Sequence, residues 1–168
     1  MIEQIPDVEN NGLEPPFGLM LNENFKVIAI PSESSIPNGI VGEYKRNILF
    51  VVQLENDATW YLKSFKQLRK TIKSIRIKRQ ILNYTDVGFC NLPKSDSIKA
   101  IDFLKDKDAK MAIFFIDKWP FQEIEVRNFE TFTIGETKIL RLPTMAEVKS
   151  NTDFKRNTWE AIKRYFDM

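Results

Sequence analysis

The sequence predicts an α/β domain of three layers around a mainly parallel central sheet of about four strands, preceded by an amino-terminal arm. Three features predict it. Two apolar runs, Ile48 to Val52 and Met111 to Ile116, have strand length and no polar interruption, which suits strands buried on both faces of a parallel sheet. Between them, Trp60, Leu62, Phe65, Leu68, Ile72 and Ile75 recur at roughly helical spacing. After them, capping signals open helices near the carboxyl end. A chain of 168 residues, 43% hydrophobic and 29% charged, can fill and solvate one domain, placed at 25–168, with 1–24 as the arm.

The elements follow in order. Phe25 to Ile30 is a short strand ended by Pro31, and the Ser-, Pro-, Asn- and Gly-rich 31–47 is a loop. Asp57, after the strand Ile48 to Val52, can cap the helix that follows. Val87 to Cys90 is the next strand. Ser95 can cap a helix that turns Ile98, Ile101 and Leu104 inward. Met111 to Ile116 follows, then a long irregular segment from Asp117 to Asn128. Phe129 to Ile134 and Thr137 to Leu142 flank Gly135-Glu136, a pair that suits a type II′ hairpin turn. Thr144 and Glu147 form a capping box. Asn151 or Thr152 caps a last helix, on which Phe154, Thr158, Trp159, Ile162 and Phe166 face the core.

Composition narrows the chemistry. There is no histidine, which removes the commonest general base and zinc ligand. Cys90 is the single cysteine, so neither an internal disulfide nor a cysteine-rich metal site is expected, and no cofactor is. The longest apolar runs are too short to span a bilayer, and the first residues lack a basic, apolar leader pattern, so a cytoplasmic protein without a membrane partner is expected. The net charge of +2 decides nothing about nucleic acid, but the charge is unevenly distributed. Residues 1–25 hold Glu3, Asp7, Glu9, Glu14 and Glu23 and no basic residue, with Ile2, Ile5, Val8, Leu13 and Phe17 among them. This arm either packs on its own domain or docks on a partner protein through those apolar anchors. The helix expected after Asp57 carries Lys63, Lys66, Arg69, Lys70, Lys73 and Arg76, continuing to Lys78 and Arg79. That basic face is either solvated or a patch for nucleic acid or an acidic partner.

Two segments carry a family resemblance. Thr85 to Lys94 is a strand ending in Asn91, with Lys94 three residues on, and resembles the second strand of the small uracil-DNA glycosylases. Ile139 to Lys163 contains the turn Arg141-Leu142-Pro143-Thr144, a short helix and a final helix with Lys155-Arg156 and Trp159. It resembles the end of that superfamily and of the psi-subunit family of bacterial DNA polymerase III. The resemblance implies a glycosylase-like α/β fold. It also implies a non-enzymatic subunit with a protein partner in replication or repair, such as a clamp-loader component. The departures imply lost catalysis. Val52 to Asp57 has no glycine where active members carry a Gly-rich loop, and Leu142 stands where they carry histidine. Leucine offers a departing base neither charge nor hydrogen bond, and strand alternation points Arg141 away from Leu142.

Open α/β sheets place ligands beyond the carboxyl ends of their strands. The degenerate cleft expected there comprises Gln53, Glu55, Asn91, Lys94, Asp117 and Thr144, with Asp57 and Lys118 beside it. Three functions follow: a protein-binding subunit, a divergent DNA glycosylase or nucleobase-processing enzyme using Asn91, and a DNA-binding module using the basic helix 63–79.

Overall fold

The computed structural model describes residues 17–21, 27–31, 39–53, 60–92, 99–121 and 124–168. Strands β1 (Phe17–Leu21) and β2 (Val27–Pro31) pair antiparallel as their own two-stranded sheet. The rest of the arm, with Ile2, Ile5, Val8 and Leu13, lies outside the described residues, as do Glu55, Asp57, Lys94, Ser95 and Ile98.

The domain is built on β3 (Ile48–Val52), α1 (Trp60–Ser74), a small hairpin β4 (Arg76–Ile77) and β5 (Gln80–Ile81), β6 (Val87–Asn91), α2 (Ala100–Asp106), β7 (Met111–Phe115), β8 (Thr131–Ile134), β9 (Thr137–Leu142), α3 (Met145–Ser150) and α4 (Thr152–Tyr165). The central sheet has the order β6-β3-β7-β9-β8, with β6, β3, β7 and β9 parallel and β8 antiparallel at the edge. The parallel strands are the four expected, and the hairpin adds a fifth. Gly135 takes φ +57 while Glu136 keeps a negative φ, the φ signature of a type II′ turn.

Each strand feeds both faces alternately. Ile48, Phe50 and Val52 enter one core with Val87, Phe89, Ile113, Phe115, Leu140 and Leu142, under α1, α3 and α4. Leu49 and Val51 enter the other with Cys90, Ala112, Phe114 and Ile139, under α2 and the segment that contains Phe121. The chain steps from β3 to β6 on one side and from β6 past β3 to β7 on the other. Right-handed crossovers then place α1 and α2 on opposite faces, giving three layers. Beyond β6, the edge is covered where Val41 and Phe89 exchange backbone hydrogen bonds of 2.8 Å. Gly42 makes this possible. It sits at φ +119, and a Cβ there would lie 2.7 Å from the Val87 carbonyl oxygen.

Helix details differ from expectation in three places. First, α1 ends at Ser74, whose hydroxyl donates to the Lys70 carbonyl. The chain then turns into the β4–β5 hairpin with Lys78 and Arg79 at φ 50 and 69, and Leu82 donates to the Ile75 carbonyl. The basic helix therefore does not run to Arg79, and Arg76 belongs to the hairpin. Lys78-Arg79 is a left-handed turn that no helical pattern announces. Second, α2 buries Ala100, Phe103 and Leu104, whereas Ile101 is 49% exposed. An i, i+3, i+4 stripe replaces the expected i, i+3, i+6 one, because one helical turn is 3.6 residues. Third, α4 buries Ala161 and Tyr165 beside Thr158 and Ile162, while Phe154 and Trp159 are half-buried. Both carboxyl-terminal caps are present: Thr144 with Glu147 as a capping box, and Asn151 accepting from the amides of Asp153 and Phe154. Among the described residues, no helix is long and apolar enough to cross a membrane.

Two tyrosines make opposite use of a buried hydroxyl. Tyr165 Oη accepts from the Ala112 amide at 3.0 Å and donates to the Lys138 carbonyl at 2.6 Å, tying α4 to β7 and β9. Tyr44 Oη is buried with no hydrogen-bond partner among the described residues. Tyr165→Phe should therefore lower unfolding stability by about 2 kcal/mol, because it strands a buried amide and carbonyl. Tyr44→Phe should raise it by about 1 kcal/mol, because it removes an unpaired polar atom. Urea titration of both variants checks the sign difference.

Candidate functional site

Because β6, β3, β7 and β9 are parallel, their carboxyl ends bring Asn91, Gln53, Asp117 and Thr144 to one edge of the sheet. The topological switch point lies between β3 and β7, the place where sheets of this type open a ligand crevice. Among the described residues, Gln53 spans it. The side chain is 6% exposed, and its Oε1 accepts from the amides of Asp117 at 3.1 Å and Lys118 at 3.3 Å. One carboxamide thus laces the end of β3 to the end of β7, and those two backbone donors are satisfied internally.

The neighbouring polar groups are also engaged. Thr144 Oγ1 accepts from the Glu147 amide at 3.2 Å, and the Glu147 carboxylate accepts from the Thr144 amide at 2.9 Å. Asn91 is half-buried at the end of β6, and Asp117 and Lys118 are exposed. Leu142 is fully buried in the α1/α4-side core. Arg141 points to the other face, as alternation predicts. Its guanidinium donates to the carbonyls of Val126 and, at 3.1 Å, of Asp117, and stacks 5.7 Å from the Trp119 ring centroid. Burial lowers its pKa, opposed by Asp117 and Glu147. Arg141 thereby pins the irregular segment after β7 onto the sheet. Among the described residues, no group of three acidic, cysteine or histidine side chains is placed to hold a metal.

A second concavity lies on the opposite helical layer. A groove of about 710 Å³ runs between α1 and the α3–α4 pair. Its floor is apolar, with Leu68, Phe115, Met145 and Ile162, and the half-buried Trp159 stands in one wall. Among the described residues, its exposed cations are Lys66 and Lys70 from α1, Lys149 from α3 and Lys155 from α4, and no carboxylate lines it. None of these four ammonium groups makes an ion pair among the described residues. Thr158, 6% exposed, also lines the groove, and its hydroxyl has no hydrogen-bond partner among the described residues.

The basic patch expected from sequence therefore divides. Lys66 and Lys70 border the groove. Lys73 instead lies 5.8 Å from the centroid of Tyr84, which donates to the Arg69 carbonyl. Arg76 is on the hairpin, and the side chain of Lys63 is outside the described residues. Lys149 and Lys155 are the additions. The sequence assigns neither to a charged patch, and only the packing of α3–α4 beside α1 sets them opposite Lys66 and Lys70. No protein-family model matches this chain, and no curated protein matches it.

The single thiol is not part of either site. Burial pushes Cys90 up to about 11, with Lys107 opposing and Asp106 adding to the shift. Burial likewise raises Tyr165, and raises Tyr44 with help from Asp108 and Cys90. All three are neutral when protonated, so the folded state holds these protons more tightly than the unfolded state. Their stabilising effect is complete below the ordinary values of 9.0 for cysteine and 10.0 for tyrosine and drains away as pH rises through the folded values. The protein should accordingly lose stability progressively above pH 9, and Cys90 should react with a thiol-specific chromogenic disulfide at pH 8 only after denaturation. Rapid native labelling would contradict the burial assigned to Cys90.

Proposed function

We propose that the protein is a non-catalytic, protein-binding subunit associated with DNA replication or repair, with the groove between α1 and α3–α4 as its partner-docking surface. The observation that carries this reading is the contrast between the two concavities. At the carboxyl ends of the strands, Gln53, Thr144 and Arg141 are spent on internal hydrogen bonds. In the groove, four lysines without ion-pair partners among the described residues surround an apolar floor. An apolar trough between helices, rimmed by one sign of charge, fits a peptide with acidic and apolar residues. The assignment to replication or repair, the clamp loader as partner and a cytoplasmic setting rest on the resemblance of Thr85–Lys94 and Ile139–Lys163 to the glycosylase superfamily and the psi-subunit family.

Surface plasmon resonance against purified bacterial clamp-loader complex tests it. The wild-type chain should bind. The variant K66E/K70E/K149E/K155E should lose about tenfold or more in affinity, because complementary rim charges steer and hold the partner. No wild-type binding, or binding indifferent to the four reversals, would remove the reading. So would cleavage of a uracil-containing oligonucleotide that is lost in Asn91→Ala, which would establish the enzymatic alternative.

Nucleic acid is the second reading, favoured by the continuity of Lys66 and Lys70 with Lys149 and Lys155 across the groove. It predicts a mobility shift with duplex or single-stranded DNA at low salt, a steep fall in affinity with salt, and loss in the same quadruple variant. The largely apolar floor is the reason for placing a peptide first, since nucleic-acid surfaces are more polar and more densely charged.

A further inference from the structure

We infer that the groove between α1 and α3–α4 docks the chain's own acidic amino-terminal segment, residues 1–16, in cis. This rests on the reading of the groove as a peptide site and adds a regulatory occupant to it. The argument begins with charge. Residues 1–16 contain Glu3, Asp7, Glu9 and Glu14, and the first basic residue of the chain is Lys26. Among the described residues, the groove presents Lys66, Lys70, Lys149 and Lys155 and no carboxylate. The complement is four against four, with no like-charge clash on either side.

The apolar pattern matches as well. Ile2, Ile5, Val8 and Leu13 alternate with the acids, as a segment needs in order to place aliphatic side chains on a floor of Leu68, Met145 and Ile162 while its carboxylates meet the rim. Sixteen extended residues span roughly 50 Å, more than the length of a helix-lined groove. Individual exposed lysine–carboxylate pairs are weak, but tethering raises the local concentration of the segment to the order of millimolar. A weak peptide site therefore fills from its own chain before it fills from a dilute competitor. A partner peptide must then displace the segment, which makes the acidic arm a built-in competitor that sets the threshold for partner binding.

Zero-length carbodiimide cross-linking of the full chain, followed by peptide mass spectrometry, tests this directly. The expected products are amides joining the carboxylates of Glu3, Asp7, Glu9 or Glu14 to the Nζ atoms of Lys66, Lys70, Lys149 or Lys155. In an equal mixture of ¹⁴N and ¹⁵N protein they should join peptides of one isotope only, and they should be lost in K149E/K155E. Arm carboxylates linked to lysines on other faces, such as Lys107 or Lys118, would overturn the proposal. So would mixed-isotope products, which would make a second copy the occupant, or no arm product at all. Neutralising the arm in E3Q/D7N/E9Q/E14Q should in addition strengthen clamp-loader capture, and unchanged capture would overturn the competitor role. Cross-linking reads the arm and capture by the clamp loader reads the partner, so each can fail while the other stands.

Discussion

Everything in this domain is arranged around a strand that must be hidden on both sides. Ile48 to Val52 are between 0% and 2% exposed, flanked by β6 on one edge and β7 on the other. A strand with no polar face needs a helical layer above and another below, and it needs neighbours on both edges for its backbone groups. The sheet order β6-β3-β7 supplies the edges, and the reversal of chain direction at β3 supplies the layers. The same reversal creates the switch point, so the demand for burial and the natural place for a ligand arise from one topological fact.

Among the described residues, the polar groups at that place are engaged internally. Gln53 spends its carboxamide on the amides of Asp117 and Lys118, and Arg141 spends its guanidinium on the carbonyls of Val126 and Asp117. Both hold the irregular segment after β7 against the sheet, and Trp119 and Phe121 seal it from below in edge-to-face contact at 4.9 Å between ring centroids. A cleft needs convergent polar groups that are free to meet a ligand. Here the groups converge on one another.

The opposite layer has the reverse character. Packing α4 beside α1 satisfies the core through Ile162, Tyr165, Leu68 and Ile72, but helices of this size leave a trough between their outer surfaces. Lysines border that trough on both walls, where a purely structural role calls for mixed signs or for carboxylates to pair with. The stem of each lysine can cover apolar surface while the ammonium stays in water. The trough is thereby compatible with water when open and complementary in charge to the acidic peptide proposed to occupy it.

Much of this was legible in the sequence. The buried runs Ile48–Val52 and Met111–Ile116 announced central strands because no other element of that length tolerates apolar side chains in both directions. Thr144 with Glu147, Asn151, and Gly135-Glu136 announced helix starts and a hairpin because caps and tight turns are decided by the side chains within a few residues. Signals of that local kind failed where a turn depended on its surroundings. The left-handed pair Lys78-Arg79 carries no glycine or asparagine to announce it, and the inward rotation of Phe103 over Ile101 was set by what the helix packs against. Side-chain chemistry at the site was less legible still. Gln53 looked like a ligand group and is a lace across the switch point, and Lys149 and Lys155, which the sequence places in no site, form one wall of a groove. The sequence by itself determined which segments are strands, which are helices and where most of them begin, since periodicity and capping are properties of neighbours along the chain. Only the tertiary structure decided which polar groups are spent internally and which lysines face one another, since those distances are created when separate elements pack.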